Sequence, residues 1–208
     1  MKRLLTLIAA VLLAVTGLYA QNANRNGFFI ELQGGAAFGE VLKYEPGNSD
    51  YPSASCLKGG GVGSLDFGYR FATSNHFAID FKIGAWSNFA EAGRTLQLRG
   101  MPGFRWTSND FGSNMSAYLA LNAGVGLSPA GGGSGDLGLY IPVELSVGIN
   151  FSQHFYGGVI FNYSALVSGE CSDHGNLEID GNEWYYDDLV HIKRQSYPTI
   201  GLRLGYRF

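Results

Sequence analysis

Charge is what this sequence has least of. Only 15% of its 208 residues are charged, against roughly 25% in an average chain, which is too few to coat a soluble globule. The 14 basic residues do not outnumber the 17 acidic ones, so the basic footprint of a nucleic-acid binder is missing. Beyond residue 20 no stretch stays apolar for the roughly 20 residues that a membrane helix needs. Cysteine is limited to two residues with no C-x-x-C spacing, and neither a metal site nor a cofactor is expected. The G-x-S-x-G, H-E-x-x-H and phosphate-loop patterns are absent as well. Disorder is excluded by what is abundant, namely 14 Phe and 12 Tyr. The 31 Gly follow no collagen period.

Residues 1–20, MKRLLTLIAAVLLAVTGLYA, have a basic start at Lys2 and Arg3, an apolar run from Leu4 and small residues toward Ala20. This is the three-part plan of a secretory signal. The expected domains are therefore a signal peptide, 1–20, and a single mature domain, 21–208. Loss of Lys2 and Arg3 leaves 12 basic against 17 acidic residues, a formal charge of −5.

The mature chain alternates with period two. Phe28, Ile30 and Leu32 form one phase against Phe29, Glu31 and Gln33, and comparable alternation recurs around Phe67, Phe81, Phe104, Leu121, Leu145, Phe161 and Leu202. Eight such segments of about ten residues match the length of strands that cross a membrane. Period two alone does not say which phase is inside. A soluble barrel would bury the aliphatic phase. The polar phase is, however, largely Gly, Ala, Ser and Asn, which suit a crowded lumen better than a solvent coat. Aromatic residues also collect at one rim: Phe28, Phe71, Phe77, Trp106, Phe151, Phe155, Tyr206 and Phe208, as in the girdle at a lipid boundary. Connections at that rim are brief. At the other rim they run over 40–57, 87–93, 128–138 and 168–190, the asymmetry of short periplasmic turns and long external loops.

The expected fold is all-β, an eight-stranded antiparallel transmembrane up-and-down β-barrel; the long last loop leaves room for ten strands. Pro102, Pro142 and Pro198 fall within these strands although Pro lacks a ladder donor, which predicts bulges or strand ends shifted toward the rims.

The ending GLRLGYRF, with Leu202, Leu204, Tyr206 and a terminal Phe208, resembles the sorting signature of Gram-negative outer-membrane barrels. With the architecture just described, the chain from Gly27 to Phe208 resembles the small OmpA/OmpX-like family. The resemblance implies residence in the outer membrane of a Gram-negative bacterium among lipid and lipopolysaccharide and insertion by the barrel assembly machinery; the loop asymmetry puts both termini in the periplasm, and a monomer is expected.

Four groups of residues are candidates for function. On the inward phase Glu31, Asp66, Asp80 and Glu144 face Arg70, Lys82, Arg99, Arg105, Arg203 and Arg207. An eight-stranded barrel is just wide enough for side chains to fill it, so these charges are expected to pair into a plug; the alternative is a narrow anion conduit lined by the surplus Arg. Barrel closure brings the first and last strands together and predicts Glu31 near Arg203 and Arg207. Closure also makes the first and fourth loops neighbours, so Cys56 and Cys171 are expected to form a disulfide in an oxidising compartment. In the fourth loop, 177–186 looks like a hairpin tip whose Asp180, Glu183, Trp184, Tyr185 and Tyr186 could form a binding patch. The histidines His76 and His154 fall in short turns, whereas His174 and His191 lie near acids on the loop side. No arrangement of nucleophile, base and orienter emerges from these, and no catalytic residue is assigned. The reading is a structural or adhesion-type barrel acting through its external loops on an unidentified surface ligand. A small passive channel and a lipid-modifying enzyme are the alternatives.

Overall fold

The computed structural model describes residues 26–46, 57–58, 60–90, 93–111, 115–128, 137–168, 170–172, 176–179, 182–185 and 190–208. Residues 1–20, read above as a signal peptide, lie outside them. In chain order the strands are β1 (Gly27–Ala37), β2 (Glu40–Pro46), β3 (Leu57–Lys58), β4 (Gly61–Ala72), β5 (Phe77–Ala90), β6 (Gly93–Thr107), β7 (Ser116–Ala123), β8 (Val125–Ser128), β9 (Gly138–Asn150), β10 (Phe155–Ser168), β11 (Glu170–Ser172), β12 (Asn176–Ile179), β13 (Asn182–Tyr185), β14 (Val190–Arg194) and β15 (Tyr197–Arg207).

Eight antiparallel staves close into a ring: β1, β4, β5, β6, the pair β7 and β8 acting as one stave, β9, β10, and β15, which returns to β1. Closure leaves the ring no free edge. The additional strands do not widen it. Instead β2 from the first loop and β14 from the fourth pair with each other, and with β3 and β11 they build a separate four-stranded sheet in the order β11-β14-β2-β3.

The alternation resolves as expected. Leu32, Phe67, Ile83, Leu98, Leu121, Leu145, Phe161 and Leu202, one from each stave, are all exposed on the outside, while Glu31, Asp66, Lys82, Arg99, Asn122, Glu144, Asn162 and Arg203 are buried inside. Such an exterior is unsuited to water and suited to hydrocarbon. At the short-turn end Phe28, Tyr69, Phe71 and Phe81 pack ring to ring in sequence, as do Phe155, Tyr206 and Phe208.

Two of the three prolines explain one irregularity. The β6 and β9 registers with β7 end at Gly103↔Asn122 and Ala123↔Val143 and resume unchanged with β8, so that, continued by one residue, they bring Pro102 of β6 opposite Ala123 and Pro142 of β9 opposite Gly124. Donors are therefore missing on both sides of the same point, and there the stave breaks between β7 and β8 without any register shift. The bulges expected at the prolines do not occur: the register shifts lie at Leu166/Ser168 and Glu40/Leu42. Pro198 is the second residue of β15, a strand end near the rim.

The short turns carry a local code. In residues 73–77 and 151–155 a serine three places before a phenylalanine accepts two backbone N–H bonds: Ser74 Oγ from His76 (3.2 Å) and Phe77 (3.0 Å), Ser152 Oγ from His154 (3.1 Å) and Phe155 (3.0 Å). The two histidine rings then tie each turn to the next stave. His76 Nδ1 is 2.9 Å from the Thr107 carbonyl oxygen and His154 Nδ1 is 2.8 Å from that of Arg207. A carbonyl can only accept, so the Nδ1–H donates in both.

Candidate functional site

The interior is filled in three layers. Nearest the long loops, Ala37, Val62, Trp86, Tyr140 and Tyr197 form an apolar cluster. Below it lies a balanced set of three carboxylates, Glu31, Asp66 and Glu144, and three cations, Lys82, Arg99 and Arg203. Lys82 Nζ is 2.5 Å from Glu144 Oε1 and 3.3 Å from Glu31 Oε2. Arg203 donates through Nη2 to the same Glu144 oxygen and through Nη1 to Ser146 Oγ (2.8 Å), with its Nε 3.5 Å from Glu31. Arg99 grips Asp66 with Nη2 (2.7 Å) and Nε (3.2 Å) while stacking on Trp86. Gln33, Asn122 and the Tyr156 hydroxyl supply further donors to Asp66, Glu144 and Glu31. Asp66 and Glu144 are 0% exposed. Removing one member of such a set leaves its partners as uncompensated buried charges.

The third layer, toward the short turns, is built differently. Arg70 forms a two-pronged pair with Asp80 at 2.8 and 2.9 Å. Arg105 instead lies over two aromatic rings, its guanidinium carbon 3.5 Å from the centre of Tyr118 and 4.6 Å from that of Tyr156. Its Nη2 donates to Asn150 Oδ1 (2.7 Å), and Asn150 in turn donates to Ser116 Oγ (3.0 Å). Beneath this layer a vestibule of about 170 Å³ opens at the short-turn end, with Arg70, Arg105, Arg207, His76, Ser116 and Asn150 among its walls.

Nine of the ten expected lumen charges are buried in the interior. Arg207 departs from expectation: as the last residue of β15 it sits half-exposed at the rim and donates to the Gln153 carbonyl (2.5 Å), so Glu31 meets Arg203 but not Arg207 as its neighbour in the network. The aromatic partners Trp86, Tyr118 and Tyr156 were not singled out by sequence, although each interrupts a polar phase with a large ring. Leu202, Leu204 and Phe208 project outward, and the Phe208 N–H donates to the Phe28 carbonyl across the seam of closure.

At the loop end, Cys56 lies outside the described residues. Cys171 is in β11, and β11 and β3 occupy opposite edges of the small sheet. The expected Cys56–Cys171 pairing therefore falls outside the described residues. The expected hairpin tip is present as β12 and β13, with Leu177 opposite Trp184 and Glu178 opposite Glu183. Glu183, Trp184 and Tyr185 belong to β13; Asp180 and Tyr186 lie outside the described residues, as does His174.

A closed ring with an apolar exterior and a charge-filled interior defines a small transmembrane β-barrel, the architecture of the OmpA/OmpX-like barrels that the sequence resembles. No protein-family description matches the chain, and no curated protein does. Among solved structures it is similar to Neisserial surface protein A (12% identity, TM-score 0.45, covering 86% of this chain and 96% of that one). It is likewise similar to Ail, the attachment invasion locus protein of Yersinia pestis (15%, 0.40, 88% and 99%), and to the outer membrane protein OprG from Pseudomonas aeruginosa (12%, 0.44, 88% and 96%).

Proposed function

We propose that this protein is an outer-membrane barrel of Gram-negative type whose lumen is a structural plug and whose biological role is interaction through the long-loop end. The filled lumen carries this reading. Three carboxylates and three cations neutralise one another across the middle of the barrel, and an aromatic cluster lies over them, so no continuous aqueous path is needed to hydrate the charges. Function is thereby directed to the ends. The long-loop end is the more elaborate one, with a four-stranded sheet joining the first and fourth loops and a separate hairpin, β12 and β13, at the acidic stretch. In this reading the hairpin faces outward and the termini face the periplasm. The apolar C-terminal strand, ending in Phe208, is what the barrel assembly machinery would take hold of.

Two measurements on one preparation test the proposal. In planar bilayers the purified protein is expected to show no steady ohmic conductance, and a stable open level would make it a channel. On intact cells, exchange of 176–185 for a Gly/Ser linker is expected to reduce attachment to host or neighbouring-cell surfaces while the barrel still folds. Undiminished attachment would remove the hairpin from the binding role.

A further inference from the structure

We propose that the short-turn mouth of the barrel is a binding site for a small free oxyanion, of the size and charge of phosphate, with Arg105 as its anchor. Charge pairing points to it. The middle layer is balanced, three against three, and Arg70 is matched by Asp80 with two hydrogen bonds. This leaves Arg105 as the surplus buried cation, since no carboxylate among the described residues lies within ion-pair distance of it.

Arg105 is nonetheless 2% exposed. A guanidinium taken out of water without a counter-charge is destabilising, and what surrounds it supplies only part of the compensation. The faces of Tyr118 and Tyr156 attract it, and Asn150 accepts one of its hydrogen bonds. Its Nη1 has no hydrogen-bond partner among the described residues. These neighbours are all neutral, and they are held in place: Asn150 by Ser116, Tyr156 by Glu31.

Arg105 is also one of the residues that line the 170 Å³ vestibule, together with Ser116, Asn150, His76 and two further arginines. That space is large enough for a tetrahedral oxyanion with part of its hydration shell. Hydroxyl and amide groups of the lining, Ser116 and Asn150 among them, offer polar partners to additional oxygens. Asp110, exposed in the connection between β6 and β7, is the carboxylate in the lining, and it is not within ion-pair distance of Arg105. The staves enclose the vestibule, so a solute reaches it along the barrel axis from water. A phosphate on a lipid headgroup in the surrounding leaflet is separated from it by the wall of strands. The chemistry therefore favours a free ion.

The test uses inorganic phosphate as the probe and the full barrel refolded in a phosphate-free nonionic detergent. Calorimetric titration at constant ionic strength is expected to show saturable binding, and the thermal unfolding midpoint is expected to rise with phosphate by mass action. Asn150→Asp places a carboxylate where the amide oxygen now accepts from Arg105, supplying the counter-charge from within. Phosphate affinity is then expected to fall about tenfold or more because like charges oppose each other, while the phosphate-free midpoint rises above that of the parent. Arg105→Gln should also lose binding, but with a lower midpoint; if it does not fold, the Asn150 variant still decides. Absence of saturable binding to the parent, or equal binding by Asn150→Asp, would overturn the site. Binding that appears only when phospholipid is added to the micelles would assign the phosphate to a headgroup and overturn the free-ion assignment.

Discussion

Glu144 is the residue on which the interior depends most. Its carboxylate receives Lys82 and Arg203 at the same oxygen, with Asn122 as a third donor. Glu144→Gln keeps the shape and removes the charge, which leaves the middle layer with three cations against two anions. Equilibrium urea unfolding of the refolded barrel is expected to show a loss of about 3 kcal/mol, in the range for breaking one side of a buried ion pair. A loss within 0.5 kcal/mol, the scale of surface changes, would mean that the network is wet and contributes little. The glycine excess has a local counterpart at Gly84, where an added Cβ would sit 2.6 Å from the Leu65 carbonyl and press against the Asp66 carboxylate. The identities of the lumen charges were legible because charge on the inner phase of a narrow barrel has few places to go. Their partners were less so. Arg105 and Arg203 have the same alternation and similar neighbours in sequence, yet one meets Glu144 and the other two tyrosines, and that difference arises only from which staves face each other across the ring.

At the scale of elements, the strands were readable and their interruptions were not. Period two separated the two phases at each stave, since a one-residue slip would have turned the whole set over, and the small polar residues of one phase said which of them was inside. The gap between β7 and β8 escaped notice because its cause is not in that stave at all; it lies in Pro102 and Pro142 on the two flanking strands. The sheet shared by β2 and β14 escaped for the same reason, since a loop sequence does not reveal which distant loop will pair with it. The turns at 73–77 and 151–155 share a Ser-X-His-Phe sequence that the sequence reading did not single out, and its meaning lies in the hydrogen bonds. Each serine accepts two backbone N–H bonds at the end of a hairpin. Ser74→Ala and Ser152→Ala are each expected to cost about 1 kcal/mol. The turns sit on opposite sides of the ring, joining β4 to β5 and β9 to β10, so the double variant should show the sum within about 0.5 kcal/mol. A markedly smaller double effect would indicate that the two turns unfold as one unit.

For the molecule as a whole, everything rests on which solvent the exterior meets. A soluble barrel and a transmembrane barrel can share a strand ladder, and they differ in what an outward side chain is worth. Leu145 decides between them. It lies on β9 beside Leu121 and Phe161, next in sequence to the buried Glu144, and is 46% exposed. In water, Leu145→Arg would be a surface substitution worth less than about 0.5 kcal/mol in either direction. In a bilayer, the same change puts a guanidinium near the hydrocarbon midplane and is expected to cost about 2–4 kcal/mol. The measurement is folding into lipid vesicles, titrated with urea, for the parent, for Leu145→Arg and for a second variant near the girdle, Phe28→Arg. Depth matters in lipid and has no counterpart in water, so the Phe28 variant should cost clearly less than the Leu145 variant. Equal small costs at both positions would return the aliphatic phase to water, and with it the reading of the low charge content as a lipid-facing coat would fall.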